Sequence, residues 1–276
     1  MKLPENISSH VNLALQEDIG SGDVTADLIP KENQSKANVV CRDEATLSGI
    51  PWFNEVFHQI DPDVEITWNY KDGEKVDANE IICSLSGNSR SILSGERAAL
   101  NFLQTLSATA TQTQKFVSVV KGTNARILDT RKTIPNLRDA QKYAVLCGGG
   151  KNHRIGLYDM ILIKENHIMA AGSITEAVKQ AKQLHPDIKI EVETENFEEF
   201  REATKAGANV IMLDNFDLKT MRKAVLENDG RISLEASGGV NLDTVRGIAE
   251  TGVDFISVGQ ITKDIAAVDL SMRFEL

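Results

Sequence analysis

From Arg126 onward, short apolar runs alternate with helical segments, and this alternation constrains the fold more than any other feature. The runs are RILDT, MILIK, KIEVE, VIMLD, ISLEAS and FISVG. Between them lie amphipathic stretches such as SITEAVKQAKQ, where Ser173 and Glu176 have capping-box spacing. Short β runs separated by helices predict βαβ units and a parallel sheet. From MILIK onward the runs end on Lys164, Glu193, Asp214, Ser237-Gly238-Gly239 and Gly259, at intervals of 29, 21, 23 and 22 residues. A polar residue or a glycine therefore recurs at the C-terminal edge of each strand. In a β/α barrel those edges converge on one mouth, where active sites lie. An open doubly wound sheet would spread them along its edge instead.

The first hundred residues read differently. Ile7, Val11, Ala14 and Leu15 share one helical face, with Ser8 or Ser9 as the expected N-cap. Residues 36–50 and 64–86 read as short strands, Pro51 starts a helix, and Asp72-Gly73 marks a turn between two strands. This predicts a small α+β domain with an antiparallel sheet. A long helix then follows, capped by Ser94, closed by Gly122 and open to a break in its Ser/Thr-rich middle. Arg97 falls in its first turn on this reading. A cation there opposes the helix dipole, so position alone reads it as an ordinary exposed residue.

Charge singles out a functional stretch. The chain carries 40 Asp+Glu against 30 Lys+Arg, a net −10. From Arg126 to Lys164, eight cations face three acids. A basic focus on an acidic protein fits a site for a small polyanion, whereas a nucleic-acid surface would make the domain basic overall. No apolar run approaches the ~20 residues that span a bilayer, and MKLPENISSH has no apolar signal-peptide core. Cys41, Cys83 and Cys147 are far apart and odd in number, which indicates neither a disulfide frame nor a zinc cluster. The expectation is a soluble, cytoplasmic protein without membrane or nucleic-acid partners.

The residue types suggest the chemistry. ASGGV and SVGQ close the last two strands, where glycines let backbone N–H groups approach a phosphate. Arg131, Lys132, His153, Arg154 and Lys164 supply donors for carboxylates or phosphates. Lys164 at a strand end is also a candidate Schiff-base lysine. Glu193 and Asp214, with Glu191 nearby, can hold Mg²⁺, accept ribose hydroxyls or stabilise a cationic sugar centre. Alternation puts Glu191 and Glu193 on the same side of their strand.

These stretches resemble a known family. EDIGSGDVT, SGERAALNFLQTLS, the long segment DTRKTIPNLRDAQKYAVLCGGGKNHRIGLYDMILIKENHI, then EVE, IMLDNF, EASGGV and ETGVDFISVGQIT are similar to quinolinate phosphoribosyltransferase, from about residue 17 to the C-terminus. The resemblance implies transfer of a phosphoribosyl group from phosphoribosyl pyrophosphate to quinolinate. Nicotinate mononucleotide, pyrophosphate and CO₂ are the products, and Mg²⁺ is required. It implies an N-terminal α/β sandwich over residues 1–100, with the tail 266–276 returning to it. An incomplete barrel of about seven strands is implied over 101–265.

It further implies a homodimer, with a hexamer as a larger assembly, in which Arg97 reaches the neighbouring subunit's site. By motif, Lys132, Lys164, Glu193 and Asp214 are catalytic, and Glu193 and Asp214 serve ribose and metal. Arg131, His153, Arg154 and Lys164, with the Arg97 borrowed across the dimer, surround the quinolinate carboxylates, and Lys132 and Lys164 face pyrophosphate. Ser237, Gly238 and Gly259 cradle the 5′-phosphate. Thr130, Gly239, Val258 and Gln260 complete the substrate-contacting set.

Overall fold

A computed structural model describes residues 2–275. The chain forms two compact units: residues 1–114, 133–149 and 261–276 in the first, 115–132 and 150–260 in the second. The sequence reading expected breaks near residues 100 and 266, but the units are interleaved. The segment 133–149 joins the first unit because its helix contributes Ala140, Tyr143, Ala144 and Cys147 to that unit's core.

In the first unit, α1 (Ile7–Asp18), β1 (Gln34–Cys41), β2 (Ala45–Thr46), α2 (Ile50–Ile60), β3 (Glu65–Trp68), β4 (Lys75–Val76) and β5 (Glu80–Asn88) precede the long α3 (Ser89–Val119), and α4 (Arg138–Cys147) follows it. The main sheet is antiparallel, with β1 between β5 and a C-terminal strand, Leu270–Phe274, and with β3 on the far side of β5. Ala37, Val39 and Cys41 of β1 alternate into the core, with Trp52, Phe53, Val56 and Phe57 of α2 also buried there.

Three local expectations change here. Asn6, not Ser8 or Ser9, occupies the α1 N-cap, because Ile7 packs against the core as the first helical residue. The Asn6 amide donates to Asp139 Oδ2 at 2.8 Å instead of capping. The long helix starts at Ser89 rather than Ser94, because Asn88 Oδ1 accepts from the backbone N–H groups of Arg90 and Ser91 at 2.9 and 3.4 Å. Ser94 donates to Asp23 Oδ2 at 2.7 Å, and Arg97 lies in the third turn, where the dipole argument lapses. The helix crosses its Ser/Thr-rich middle unbroken, with Thr113 and Thr109 donating to carbonyls one turn back. Asp72-Gly73 does turn, with Gly73 at φ 91°, yet β3 pairs with β5 and β4 with β2. Asp72 is committed elsewhere: Oδ1 accepts from Gly49 N and Ile50 N at the start of α2, and Oδ2 from the Tyr143 hydroxyl.

The second unit is a parallel sheet of β6 (Arg126–Leu128), β7 (Ile161–Ile163), β8 (Ile190–Thr194), β9 (Val210–Asp214), β10 (Ser233–Ser237) and β11 (Phe255–Ser257), in the order β6-β11-β10-β9-β8-β7. All six apolar runs are strands. A seventh is reduced to one parallel bridge, Leu128↔Lys151, and no ladder joins the edge strands β6 and β7 among the described residues. The crossovers use α5 (Glu165–Ala171), α6 (Ile174–Leu184), α7 (Phe197–Ala206), α8 (Leu218–Asn228) and α9 (Val245–Ala249), and α10 (Gln260–Lys263) follows β11. Ser173, Asn196 and Asp217 cap α6, α7 and α8 by accepting from the N–H three residues on. Each of these helices buries an apolar stripe, such as Ile174, Ala177, Val178 and Ala181.

Candidate active site

The C-terminal ends of the second unit's strands carry the predicted polar set. After β10, Gly238 and Gly239 adopt φ 97° and 59°, which a side chain would resist. A Cβ on Gly238 would stand 2.1 Å from Asn215 Oδ1. Asn215 itself has φ 55°, and its backbone N–H donates to Ser237 O at 2.9 Å. Its side-chain amide donates to Asp214 Oδ2, also at 2.9 Å. One residue thus ties the catalytic candidate Asp214 to the glycine turn. After β11, a Cβ on Gly259 would meet Lys132 Cδ at 3.3 Å and Thr130 Oγ1 at 3.8 Å. Lys132 N–H donates to Thr130 Oγ1 at 3.1 Å, so Thr130, Lys132 and Gly259 form one cluster. Val258, beside them, is buried and donates to Leu128 O, and Gln260 opens α10.

Lys164 and Glu193 form the second cluster. Lys164 Nζ donates to Glu193 Oε2 across the ends of neighbouring β7 and β8. The Lys164 backbone is fixed by His167, whose Nδ1 accepts its N–H at 3.0 Å. The ends of β8 and β9, also neighbours, bring Glu193 and Asp214 to the same edge. Arg154 Nη1 donates to Met160 O at 3.2 Å. Burial and the nearby Arg131 guanidinium push Arg154 below the ordinary guanidinium range.

Deeper in the same unit lies a group in which sequence reasoning named His153 and Glu191 but missed Glu235. His153 Nε2 stands 2.9 Å from Glu191 Oε2 and 3.5 Å from Glu235 Oε2, and all three side chains are more than nine-tenths buried. Ser257 donates its hydroxyl to Glu235 Oε1. Burial, then the charge of Glu191, push the Glu235 carboxyl well above the usual carboxylate range, and Ser257 opposes that rise. Asp129 is also fully buried, accepting from His153 N at 2.9 Å and from Asn152 Nδ2 at 2.6 Å. The signal in the sequence was alternation: Ser233, Glu235 and Ser237 interrupt ISLEAS at every second position, on the face opposite Leu234 and Ala236.

Glu191 and Glu193 share a strand face, as alternation requires, but not an environment. Glu193 keeps 15% of its side-chain exposure and faces Lys164, while Glu191 is sealed against His153. Arg97 belongs to the first unit, where it is more than half exposed and its guanidinium lies 3.5 Å from Glu96.

A parallel α/β unit with cations, carboxylates and glycine turns at its C-terminal strand ends defines an enzyme class that handles small phosphorylated anions. Residues 23–107 match the family described as quinolinate phosphoribosyl transferase, N-terminal domain, and residues 109–273 match its C-terminal domain. The chain belongs to the quinolinate phosphoribosyltransferase family. It is 44% identical over 261 residues to the probable nicotinate-nucleotide pyrophosphorylase [carboxylating] of Bacillus subtilis (strain 168), covering 94% of this chain and 90% of that one. It is 40% identical over 286 residues to quinolinate phosphoribosyltransferase [decarboxylating] 2b, mitochondrial, of Nicotiana tabacum, covering 96% and 81%. Among solved structures, the nicotinate-nucleotide pyrophosphorylase from Francisella tularensis superposes with a TM-score of 0.97 at 49% identity, over 99% of this chain and 98% of that one.

Proposed function

We infer that this chain transfers a phosphoribosyl group from phosphoribosyl pyrophosphate to quinolinate and releases pyrophosphate and CO₂, giving nicotinate mononucleotide for NAD synthesis. The observation that carries this reading is the grouping at neighbouring strand ends of a Lys164–Glu193 pair, Asp214, and glycine turns at Gly238 and Gly259. Each part matches one part of the reactants. Arg131, His153, Arg154 and Lys164 serve the pyridine carboxylates. Lys132, against Gly259, serves the pyrophosphate. Ser237, Gly238, Gly239 and Gly259 take the 5′-phosphate, with Thr130, Val258 and Gln260 around it.

The pyridine nitrogen attacks the anomeric carbon as the bond to pyrophosphate breaks. Positive charge grows on the sugar, and Glu193 and Asp214 stabilise it; negative charge grows on the leaving group, and Lys132 and Lys164 stabilise that. The adjacent carboxylate then departs as CO₂ and leaves its electron pair on the ring carbon, where the neighbouring pyridinium nitrogen stabilises it until a proton from water takes the vacated position.

Glu193 and Asp214 also fit Mg²⁺: they are oxygen donors at neighbouring strand ends, and Glu193 retains solvent access for the waters this ion keeps. Bound there, Mg²⁺ would neutralise pyrophosphate charge. The buried His153, Glu191 and Glu235 offer donor atoms within 4.8 Å of one another, but a nitrogen ligand and full burial suit Mg²⁺ poorly. Arg97, exposed on the first unit, is proposed to complete the site of a second copy in a homodimer, with a hexamer as a larger assembly. A cytoplasmic location fits the absence, among the described residues, of any helix long and apolar enough to cross a membrane.

Purified protein given quinolinate, phosphoribosyl pyrophosphate and Mg²⁺ should release pyrophosphate and CO₂ in equal amounts. Absence of both products would sink the reading.

A further inference from the structure

Three strands of the second unit converge on one imidazole. His153 Nε2 lies 2.9 Å from Glu191 on β8 and 3.5 Å from Glu235 on β10, and Ser257 on β11 holds the other oxygen of Glu235. Across the ring, Nδ1 accepts the backbone N–H of Arg154 at 2.7 Å. The His153 N–H is itself held by Asp129 at 2.9 Å. These bonds assign the ring. Nδ1 uses its lone pair on Arg154 N–H, so the proton sits on Nε2, the nitrogen 2.9 Å from Glu191 Oε2. The Nδ1 bond holds the ring against the Arg154 backbone, and Nε2 lies at ion-pair distance from Glu191. The Nδ1 bond also sets where the Arg154 side chain leaves the backbone, and Met160 O holds that side chain's far end.

Burying carboxylates is costly unless they are bonded. Apolar side chains of similar volume could have filled the same space. The charge is therefore retained for what it orients.

We propose that Glu191 is a positioning residue for the quinolinate half of the site: through the chain Glu191–His153–Arg154 it holds Arg154 beside Arg131, where the substrate carboxylates arrive, and Glu235 is a weaker second support. The proposal rests on the functional reading above. It adds a residue that touches no reactant but sets the geometry of two that do. Arg131 and Arg154 are like charges close enough to feel each other, and a fixed backbone start limits how far Arg154 can swing away.

Glu191→Gln and Glu235→Gln are both isosteric, so a role in packing alone would make them equivalent. Glu191→Gln should raise the KM for quinolinate about 100-fold, the scale of a misplaced binding group, and leave the KM for phosphoribosyl pyrophosphate unchanged. Glu235→Gln, acting across the longer distance, should have a smaller effect. In ¹⁵N-labelled enzyme without substrates, the His153 ring, identified by its loss in His153→Gln, should carry its proton on Nε2. That signal should shift or exchange away in Glu191→Gln.

A proton on Nδ1 in the wild type would overturn the proposal. So would a wild-type KM for quinolinate in Glu191→Gln, or a larger effect from Glu235→Gln. If Glu191→Gln does not fold, the wild-type ring still decides. A wild type that fails to turn over would refute the reaction assigned here, whereas the ring's proton is read without substrate and tests the positioning chain by itself.

Discussion

Two sheets in this molecule use the same alternation for opposite ends. In the first unit, β1 buries Ala37, Val39 and Cys41, and the aromatic rings Trp52, Phe53 and Phe57 share their core. In the second unit, β10 buries Leu234 and Ala236 on one face and Glu235 on the other, and β8 buries Glu191 between Ile190 and Val192. The first pattern gains free energy with each apolar group removed from water. The second gives up part of that gain to hold buried charge. Stability should therefore be concentrated in one region and chemistry in the other.

The difference can be broken by substitution. The largest effect expected is on turnover: Lys164→Ala should lower kcat/KM by about 10³-fold or more, as loss of transition-state charge stabilisation does, with a melting temperature near that of the wild type. Loss of fold in that variant would erase the contrast. Next, Phe57→Ala in the first unit should cost about 3–5 kcal/mol of stability, measured by denaturant unfolding, while the fraction still folded keeps the wild-type kcat. A smaller loss is expected for Gly238→Ala. Its φ and its approach to Asn215 impose about 1–3 kcal/mol of strain, and the KM for phosphoribosyl pyrophosphate should rise more than that for quinolinate.

Glu235→Gln sharpens the comparison through pH. Glu235 has its carboxyl raised in the fold by burial first and by Glu191 second. A raised carboxyl favours the folded state only while protonated. Its contribution is present below the unfolded value of about 4.3 and is lost as pH rises towards the folded one. The amide mimics the protonated acid, so Glu235→Gln should match the wild type in stability near pH 4. It should exceed it at pH 7, read as Tm against pH. A wild type that equals the variant at pH 7 would remove the claim that this region is held at a cost. The smallest effect belongs to the surface. Breaking the exposed Arg246–Glu250 pair by Glu250→Ala should change stability by about 0.5 kcal/mol or less.

Much of this was legible in the sequence wherever a single periodicity or a single cap decides. Short apolar runs separated by helical stretches marked the six strands of the second unit, and their polar ends placed Lys164, Glu193, Asp214, Gly238 and Gly259 at one edge. What stayed hidden depended on partners far along the chain. The start of α3 turned on the Asn88 side chain rather than on Ser94. Glu235 looked like an ordinary strand polar until His153, Glu191 and Ser257 arrived from other elements. Asn215 reads as a loop residue, and its work lies in a left-handed backbone with bonds to Asp214 and Ser237. Neither period nor propensity reports such convergence. Arg97 marks the same boundary: its guanidinium lies beside Glu96, and its proposed role comes from the motif.

The C-terminal strand has a consequence for biosynthesis. Val39 pairs with Met272, which is made more than 200 residues later. While the chain is being translated, β1 has β5 on one side and an unsatisfied row of N–H and C=O groups on the other, a template for any passing strand. The first unit therefore has the first part of its sequence early but its last ladder late. The intervening second unit, with its more local parallel pairings, can form before that edge is closed.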